Sequence, residues 1–152
     1  MSNVLGFDVG HRRIGIAVGN RIAASARAVA VAAVHGQTPD WSHIDAVHRA
    51  WQPELLVVGL PLRLDGAEQP ASRRARRFAD DLRQRYGLPV VLVDERHSSQ
   101  EAAERFAAAR AQGLRRRRDA AQLDAVAAAV ILERWLLDPA CASPDPSEPS
   151  RP

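Results

Sequence analysis

The sequence has no lysine; all 21 of its basic residues are arginine. It also has a single cysteine, Cys141, set in a Pro-rich stretch, which excludes a disulfide framework within the chain and a cysteine metal site. No apolar run approaches the roughly 20 residues of a membrane span. The opening residues run straight into strand-like sequence, without the charged segment and apolar core of an export signal. These absences lead us to expect a cytoplasmic protein with no membrane partner. Aromatic residues make up only 5% of the chain, and of the three Phe, three Trp and one Tyr only Phe7 falls on a clear strand. That is poor material for a base-stacking platform.

What is present suits one domain with a substantial core: 152 residues, 46% of them hydrophobic. Arginine keeps its charge at any working pH and grips phosphate with a planar fork, so a sequence pI near 10.3 points to a polyanionic partner. A GC-rich genome also replaces Lys by Arg, and the net charge is only +3. Local clusters therefore carry more of the argument than the global charge.

The stretch from Val4 to Val18 organises the chain. Val4, Leu5, Phe7 and Val9 make a buried strand; Gly10 and Gly15 allow a tight turn and a close approach by another backbone or a ligand, and Ile14-Gly15-Ile16-Ala17-Val18 is a second apolar run. The two read as a hairpin with a carboxylate, Asp8, at its mouth. Burying that charge is costly unless something compensates it, although an aspartate can also serve the turn that follows it. Further on, Ile22 to Val34 reads as a third strand. Thr38-Pro39-Asp40 opens a helix through about Trp51, on which His43 and His48 are face or edge residues. Leu55 to Leu60 is continuously apolar, the mark of a strand covered on both faces in a parallel sheet. The periodicity predicts a helix over about Ala71 to Tyr86, with an apolar stripe of Ala71, Ala75, Phe78, Ala79 and Leu82 and a stop at Gly87. Val90 to Val93 is another buried strand, running into Asp94-Glu95-Arg96. Ser98 and Glu101 have the spacing of a capping box for an Ala-rich helix that Gly113 ends. After a four-arginine run at 115–118, Asp119 and Gln122 cap a last helix with the stripe Leu123, Val126, Ala127, Val130 and Ile131. Residues 1–137 form the expected domain, and 138–152 a disordered Pro-rich tail.

Three acidic positions resist a structural explanation: Asp8, the Asp94/Glu95 pair at a strand end, and Asp124 among small alanines on the last helix. Ligand sites of open α/β sheets lie at the carboxyl ends of the strands. Carboxylates converging there repel one another unless divalent cations hold them, and all-oxygen ligation suits Mg2+ or Mn2+. Neighbouring strand residues face opposite sides, so only one of Asp94 and Glu95 can share a side with Asp8.

Four ordered blocks carry a resemblance that extends over about residues 3–137: Gly6-x-Asp8-x-Gly10-x-x-x-Ile14-Gly15-x-Ala17, Val57-Val58-Gly59-Leu60-Pro61-Leu62-x-x-Asp65-Gly66, Asp94-Glu95-Arg96-x-Ser98, and Asp124-Ala125-x-Ala127-Ala128. Together they resemble the YqgF family of pre-16S ribosomal RNA nucleases, relatives of the Holliday junction resolvases. The resemblance implies an α/β, ribonuclease H-like fold, with a mixed five-stranded sheet flanked by helices, and metal-dependent phosphodiester hydrolysis. Carried over by position, the catalytic and metal-binding acids are Asp8, Glu95 and Asp124. In a two-metal scheme Asp8 would be shared by two ions, each completed by one of the others; Glu95 is preferred to Asp94 for the family match and its reach. Two positions depart from the family pattern. Gln122 stands where a lysine is frequent, and Ser99 where a threonine is; neither removes a carboxylate.

The candidate nucleic-acid contacts are Arg12, Arg13, Arg73, Arg74, Arg77, Arg96, Arg115, Arg116, Arg117 and Arg118. Contacts of this kind bind phosphate without choosing sequence. Arg96 serves equally as an ion-pair partner of Asp94, and His97 reads as a surface residue. The expected partner is RNA, a pre-rRNA, or branched DNA; nothing in the residues separates the two or sets the oligomeric state. The alternatives are a Holliday junction resolvase-like DNA nuclease and a non-catalytic RNA-binding module. Sugar-kinase and actin-like ATP-binding folds also use Asp-x-Gly hairpins, but they need two closing domains, and this chain has the length of one.

Overall fold

A computed structural model describes residues 3–63, 65–94, 119–139 and 142–143. Its strands are β1 (Asn3–Val9), β2 (Arg13–Asn20), β3 (Ser25–His35), β4 (Thr38–Pro39), β5 (Leu55–Leu60), β6 (Val90–Asp94) and β7 (Ala142–Ser143). Its helices are α1 (Trp41–Trp51), α2 (Pro70–Tyr86) and α3 (Asp119–Leu137). The sheet runs β4-β3-β2-β1-β5-β6-β7. β1, β2 and β3 form an antiparallel meander, and β1, β5 and β6 are parallel. The mixed α/β character matches expectation, but the strand count does not. Beyond five long strands there are two two-residue strands, β4 and β7, at the edges.

Side-chain alternation sorts the core into two layers. On one face Leu5, Phe7, Ile14, Ile16, Leu56 and Val58 pack under Ile44 and Val47 of α1 and Phe78, Ala79 and Leu82 of α2. On the other, Val4, Ala17, Val57 and Val93 pack under Ala128, Ala129, Ile131, Leu132 and Trp135 of α3. β5 supplies both layers, which explains its unbroken apolarity. Each large side chain taken fully from water here, such as Phe7 or Leu132, contributes about 1.5–3 kcal/mol.

Four local readings are corrected. β3 starts at Ser25 rather than Ile22, because Asn20 Oδ1 accepts from the backbone N–H groups of Ile22 (2.9 Å) and Ala23 (3.0 Å) and closes a turn. In α2 the buried position of the first turn is Ser72, not Ala71: its hydroxyl donates to the Pro61 carbonyl and accepts from the Gln69 N–H at 3.0 Å. In α3 the residues turned to the sheet are Ala125, Ala128, Ala129, Leu132 and Trp135 beside Val130 and Ile131, while Leu123, Val126 and Ala127 are only half-buried. A helix apolar nearly all round offers no period from which to choose its face. Finally, Ala142–Ser143, within the tail expected to be disordered, pair antiparallel with Val93 and Leu92. The expected helix over 98–113, its Ser98/Glu101 cap and the 115–118 run lie outside the described residues.

α1 and α2 are clasped at the surface. Arg85 donates to both oxygens of Asp45 (2.8 and 2.6 Å) and the Tyr86 hydroxyl donates to Oδ1 (2.5 Å). The Arg85 guanidinium also stacks 5.0 Å from the Trp41 ring. The hydrogen bonds from Arg85 and then Tyr86 hold the Asp45 carboxyl far below its ordinary range. Burial pushes the Tyr86 phenol up, and the adjacent Asp45 charge adds to the shift. His48 stacks on Tyr86 (4.2 Å between rings) and is pushed down, chiefly by burial. It is part of the clasp rather than a ligand.

Candidate active site

β1 carries Asp8 to the turn end of the hairpin, which the Gly10 N–H closes on the Arg13 carbonyl at 2.9 Å. Val4, of the same parity in the strand, packs against α3, so Asp8 faces α3 as well. Directly opposite Asp8 across the antiparallel pair is Gly15, and opposite residues share a face. The Asp124 carbonyl sits over Gly15 so closely that a Cβ built there would lie 1.9 Å from it. Further along α3, Leu132 and Leu136 meet Gly6 and Gly19 in the same manner, at 2.8 Å from the positions their Cβ atoms would take. Glycines on the sheet and alanines on the helix together let α3 lie against the strands. The result is that Asp8 and Asp124 occupy one face at one end of β1 and β2.

Asp124 is half-buried, and Arg13 Nε lies 2.7 Å from its Oδ2. The contact is an ion pair without hydrogen-bond alignment, and Oδ2 is buried without any hydrogen-bond partner. A buried carboxylate oxygen without a hydrogen bond, on the face and strand end of Asp8, fits a hard divalent cation once Arg13 moves off it. Among the described residues no set of three acidic, cysteine or histidine side chains is complete. Glu95, the remaining expected acid, lies outside the described residues, as do Arg96, His97, Arg115, Arg116, Arg117 and Arg118.

Asp94 ends β6 paired with Leu60, and both belong to the face covered by α1 and α2. It therefore points away from the side that Asp8 and Asp124 share. Its carbonyl accepts from Arg134 of α3 at 3.2 Å, which ties the helix to the end of β6.

Of the expected nucleic-acid contacts, Arg12 and Arg13 are exposed on the hairpin turn and the start of β2. Arg73, Arg74 and Arg77 line a cavity of about 260 Å3 between α2, the hairpin turn and the end of β3. Phe7, the one aromatic on a clear strand, is fully buried and offers no base a surface. Two features escaped sequence reasoning: that the backbone closing on Gly15 is that of Asp124, and that Arg13 is the partner of Asp124. Glycine at 6, 15 and 19 was the available signal, since all three fall on the α3 face.

Comparison with known proteins gives the family and the fold. Residues 2–138 match the model of a family described as RuvX, Holliday junction resolvase. The chain belongs to the RuvX family. A Xanthomonas axonopodis pv. citri protein bearing the name of a candidate pre-16S rRNA nuclease is 64% identical over 136 residues, covering 90% of this chain and 88% of its own. One from Xylella fastidiosa, named alike, is 65% identical with the same coverage. Among solved structures, Thermus thermophilus RuvC in complex with a Holliday junction substrate superposes with a TM-score of 0.55 at 20% identity, over 92% of this chain and 96% of that one. The Fowlpox virus resolvase, also bound to junction DNA, gives 0.51 at 11%, over 90% and 99%. At these identities the likeness concerns the fold, which is ribonuclease H-like. This RuvX member is accordingly a nuclease, a hydrolase of phosphodiester bonds whose partner is nucleic acid. Among the described residues no helix is long and apolar enough to cross a membrane.

Proposed function

We propose that this nuclease is metal-dependent and matures the 5′ end of pre-16S rRNA in the cytoplasm, with Asp8, Glu95 and Asp124 as its acidic site and residues 1–137 as its catalytic domain. The observation that carries the reading is the seating of Asp124 over Gly15, opposite Asp8, with a buried carboxylate oxygen that no hydrogen bond satisfies. Strand alternation supports Glu95 over Asp94 as the third acid, because Asp94 takes the α1–α2 side. Asp8, Glu95 and Asp124 would hold Mg2+ or Mn2+, and the ion would supply water activation and charge stabilisation at the scissile phosphate. Asp8 orients from the strand, Asp124 from the helix, and the tight seat between them keeps their separation constant. Arg12 and Arg13 on the hairpin, Arg73, Arg74 and Arg77 on α2, and Arg96 with Arg115, Arg116, Arg117 and Arg118 hold the backbone through phosphates. Such contacts give affinity that is steeply salt-dependent and indifferent to sequence.

A DNA-junction substrate is the second reading, favoured by the family's description and by the junction complexes of its structural neighbours. The test is purified protein with Mg2+ on a precursor-rRNA 5′ leader beside a four-way DNA junction, each repeated with Asp8→Asn. Cleavage of the leader that is lost in the variant, whose fold persists, is the expected result. Preferential cutting of the junction would move the substrate to DNA. Unchanged turnover by Asp8→Asn in saturating Mg2+ would remove Asp8 from the chemistry.

A further inference from the structure

α2 carries six arginines, and their partners divide them. Arg76 pairs with Glu68 (2.6 Å), Arg83 with Asp80 (2.7 Å) and Arg85 with Asp45 (2.6 Å). The side chains of Arg73, Arg74 and Arg77 make no ion pair or hydrogen bond among the described residues, and these three alone of the six line the cavity. An arginine stripe that were merely a solvated helix face would not leave its unpaired members converging on one concavity. Three guanidinium groups around a hollow that holds one carboxylate, Asp81, leave it net positive and suited to an anion.

The floor of the hollow is of a different kind. Val9, Val34 and the margin of the Phe78 ring, which is buried and stacked on Trp41, line it, and Asp81 offers a carboxylate on the α2 side. Burial, and the neighbouring Asp80, push that carboxyl up from its ordinary value despite the charge of Arg77. Apolar floor, cationic rim and one polar acceptor are the complements of base, phosphate and base or sugar edge. At about 260 Å3 the space lies below the roughly 300–1,000 Å3 of sites that enclose drug-sized ligands, so it holds at most part of one nucleotide and no duplex.

Position relative to the acids gives the hollow its role. Val9 follows Asp8 in β1; the two side chains point to opposite faces while their Cα atoms are about 3.8 Å apart. Val9, Gly10 and His11 of the cavity wall thus belong to the same hairpin end as Asp8. A strand crossing the Gly10–Arg13 turn meets the carboxylates on one side and the cavity on the other. We propose that the cavity receives one unpaired nucleotide flanking the scissile phosphate, its phosphate against Arg73, Arg74 and Arg77 and its base against the apolar wall of Val9 and Val34. This inference rests on the nuclease reading above and adds a requirement to it: a nucleotide must leave its helix next to the cut, so a scissile bond inside unbroken duplex is a poor substrate.

The test uses the full chain with Asp8→Asn, so that the leader stays intact, and a series of leader strands each carrying 2-aminopurine at one position. The expected result is a fluorescence change confined to one position beside the cut. It should vanish, with binding weakened about tenfold, when Arg73→Gln, Arg74→Gln and Arg77→Gln are combined. In protein with Asp8 intact, an abasic residue at that position should raise KM and spare kcat. A response at no position, or an equal response at every position, overturns the assignment, and it does so without touching the nuclease reading if the wild type still cuts the leader. If the wild type cuts neither leader nor junction, the nuclease reading falls and this proposal falls with it. Free adenosine monophosphate eliciting the response that the strand does not would make it a free-nucleotide site and would also overturn the proposal.

Discussion

The carbonyl oxygen of Asp124 occupies the space a side chain at Gly15 would need, 1.9 Å from where its Cβ would stand. A backbone atom cannot swing aside as a side-chain tip does, so Gly15→Ala must lift the start of α3 from β2. Overpacking of this kind costs about 1–3 kcal/mol or more. The activity loss should exceed what the stability loss accounts for, since the same shift carries Asp124 away from Asp8. Urea denaturation beside cleavage rates at a temperature where the variant remains folded would check this. A variant of unchanged stability and turnover would mean that the helix has room that the geometry denies.

Much of this arrangement was legible in the sequence, and the illegible parts share a cause. Asp8 at a hairpin mouth and the doubly covered strand Leu55–Leu60 are local patterns, and alternation along β6 puts Asp94 on the α1–α2 side. The seating of Asp124 on Gly15 joins residues more than a hundred positions apart, and no local pattern encodes such a distance. Nor did the face of α3, because Ala, Val and Leu surround it and every register looks apolar; the glycines of the partner strand choose the face instead. Ala142–Ser143 were read as tail because two residues pairing with a sheet edge carry no periodicity of their own.

Acid stability should depend on Asp45. Its folded-state pKa lies below the ordinary 3.8, so its contribution is present above that value and is lost as pH falls through the folded pKa. Between about pH 5 and 2 the wild type should lose stability more steeply than Asp45→Asn, which has no carboxylate to protonate there. At neutral pH the order reverses, because the variant lacks the charged partner of Arg85. Thermal melts across that range decide the matter; parallel curves would show that the clasp is held by Tyr86 and packing alone.

The run Arg115, Arg116, Arg117 and Arg118 precedes the helix that carries Asp124, and four adjacent like charges with no interleaved acid are best matched by a polyanion. Replacing all four with serine should weaken binding to every strand tested and leave kcat at saturating substrate largely intact. For single strands each lost phosphate contact should flatten the log-log salt dependence by about 0.7. An unchanged slope would return this run to the status of a solvated segment and leave the α2 arginines as the principal basic surface.

Arg13 is placed to compete with a metal. Its Nε is 2.7 Å from Asp124 Oδ2, yet misaligned for a hydrogen bond, and the pair is 47% and 29% exposed at its two side chains. Exposure on that scale limits the pair to about 0–1 kcal/mol, so Arg13→Gln should lower stability only slightly in the absence of metal. Its effect on metal binding should be larger and of opposite sign. A unit positive charge beside the carboxylates both occupies an acceptor oxygen and repels an incoming divalent cation, so its removal should tighten Mn2+ binding about two- to tenfold. Substrate affinity should fall at the same time, because the guanidinium released from Asp124 is then no longer available to the phosphate. Calorimetric titration of the variant with Mn2+ in the absence of nucleic acid reads the first effect, and KM at saturating metal reads the second. If Mn2+ binding were unchanged or weaker, the Arg13–Asp124 contact would be holding the carboxylate in position for the metal instead of opposing it.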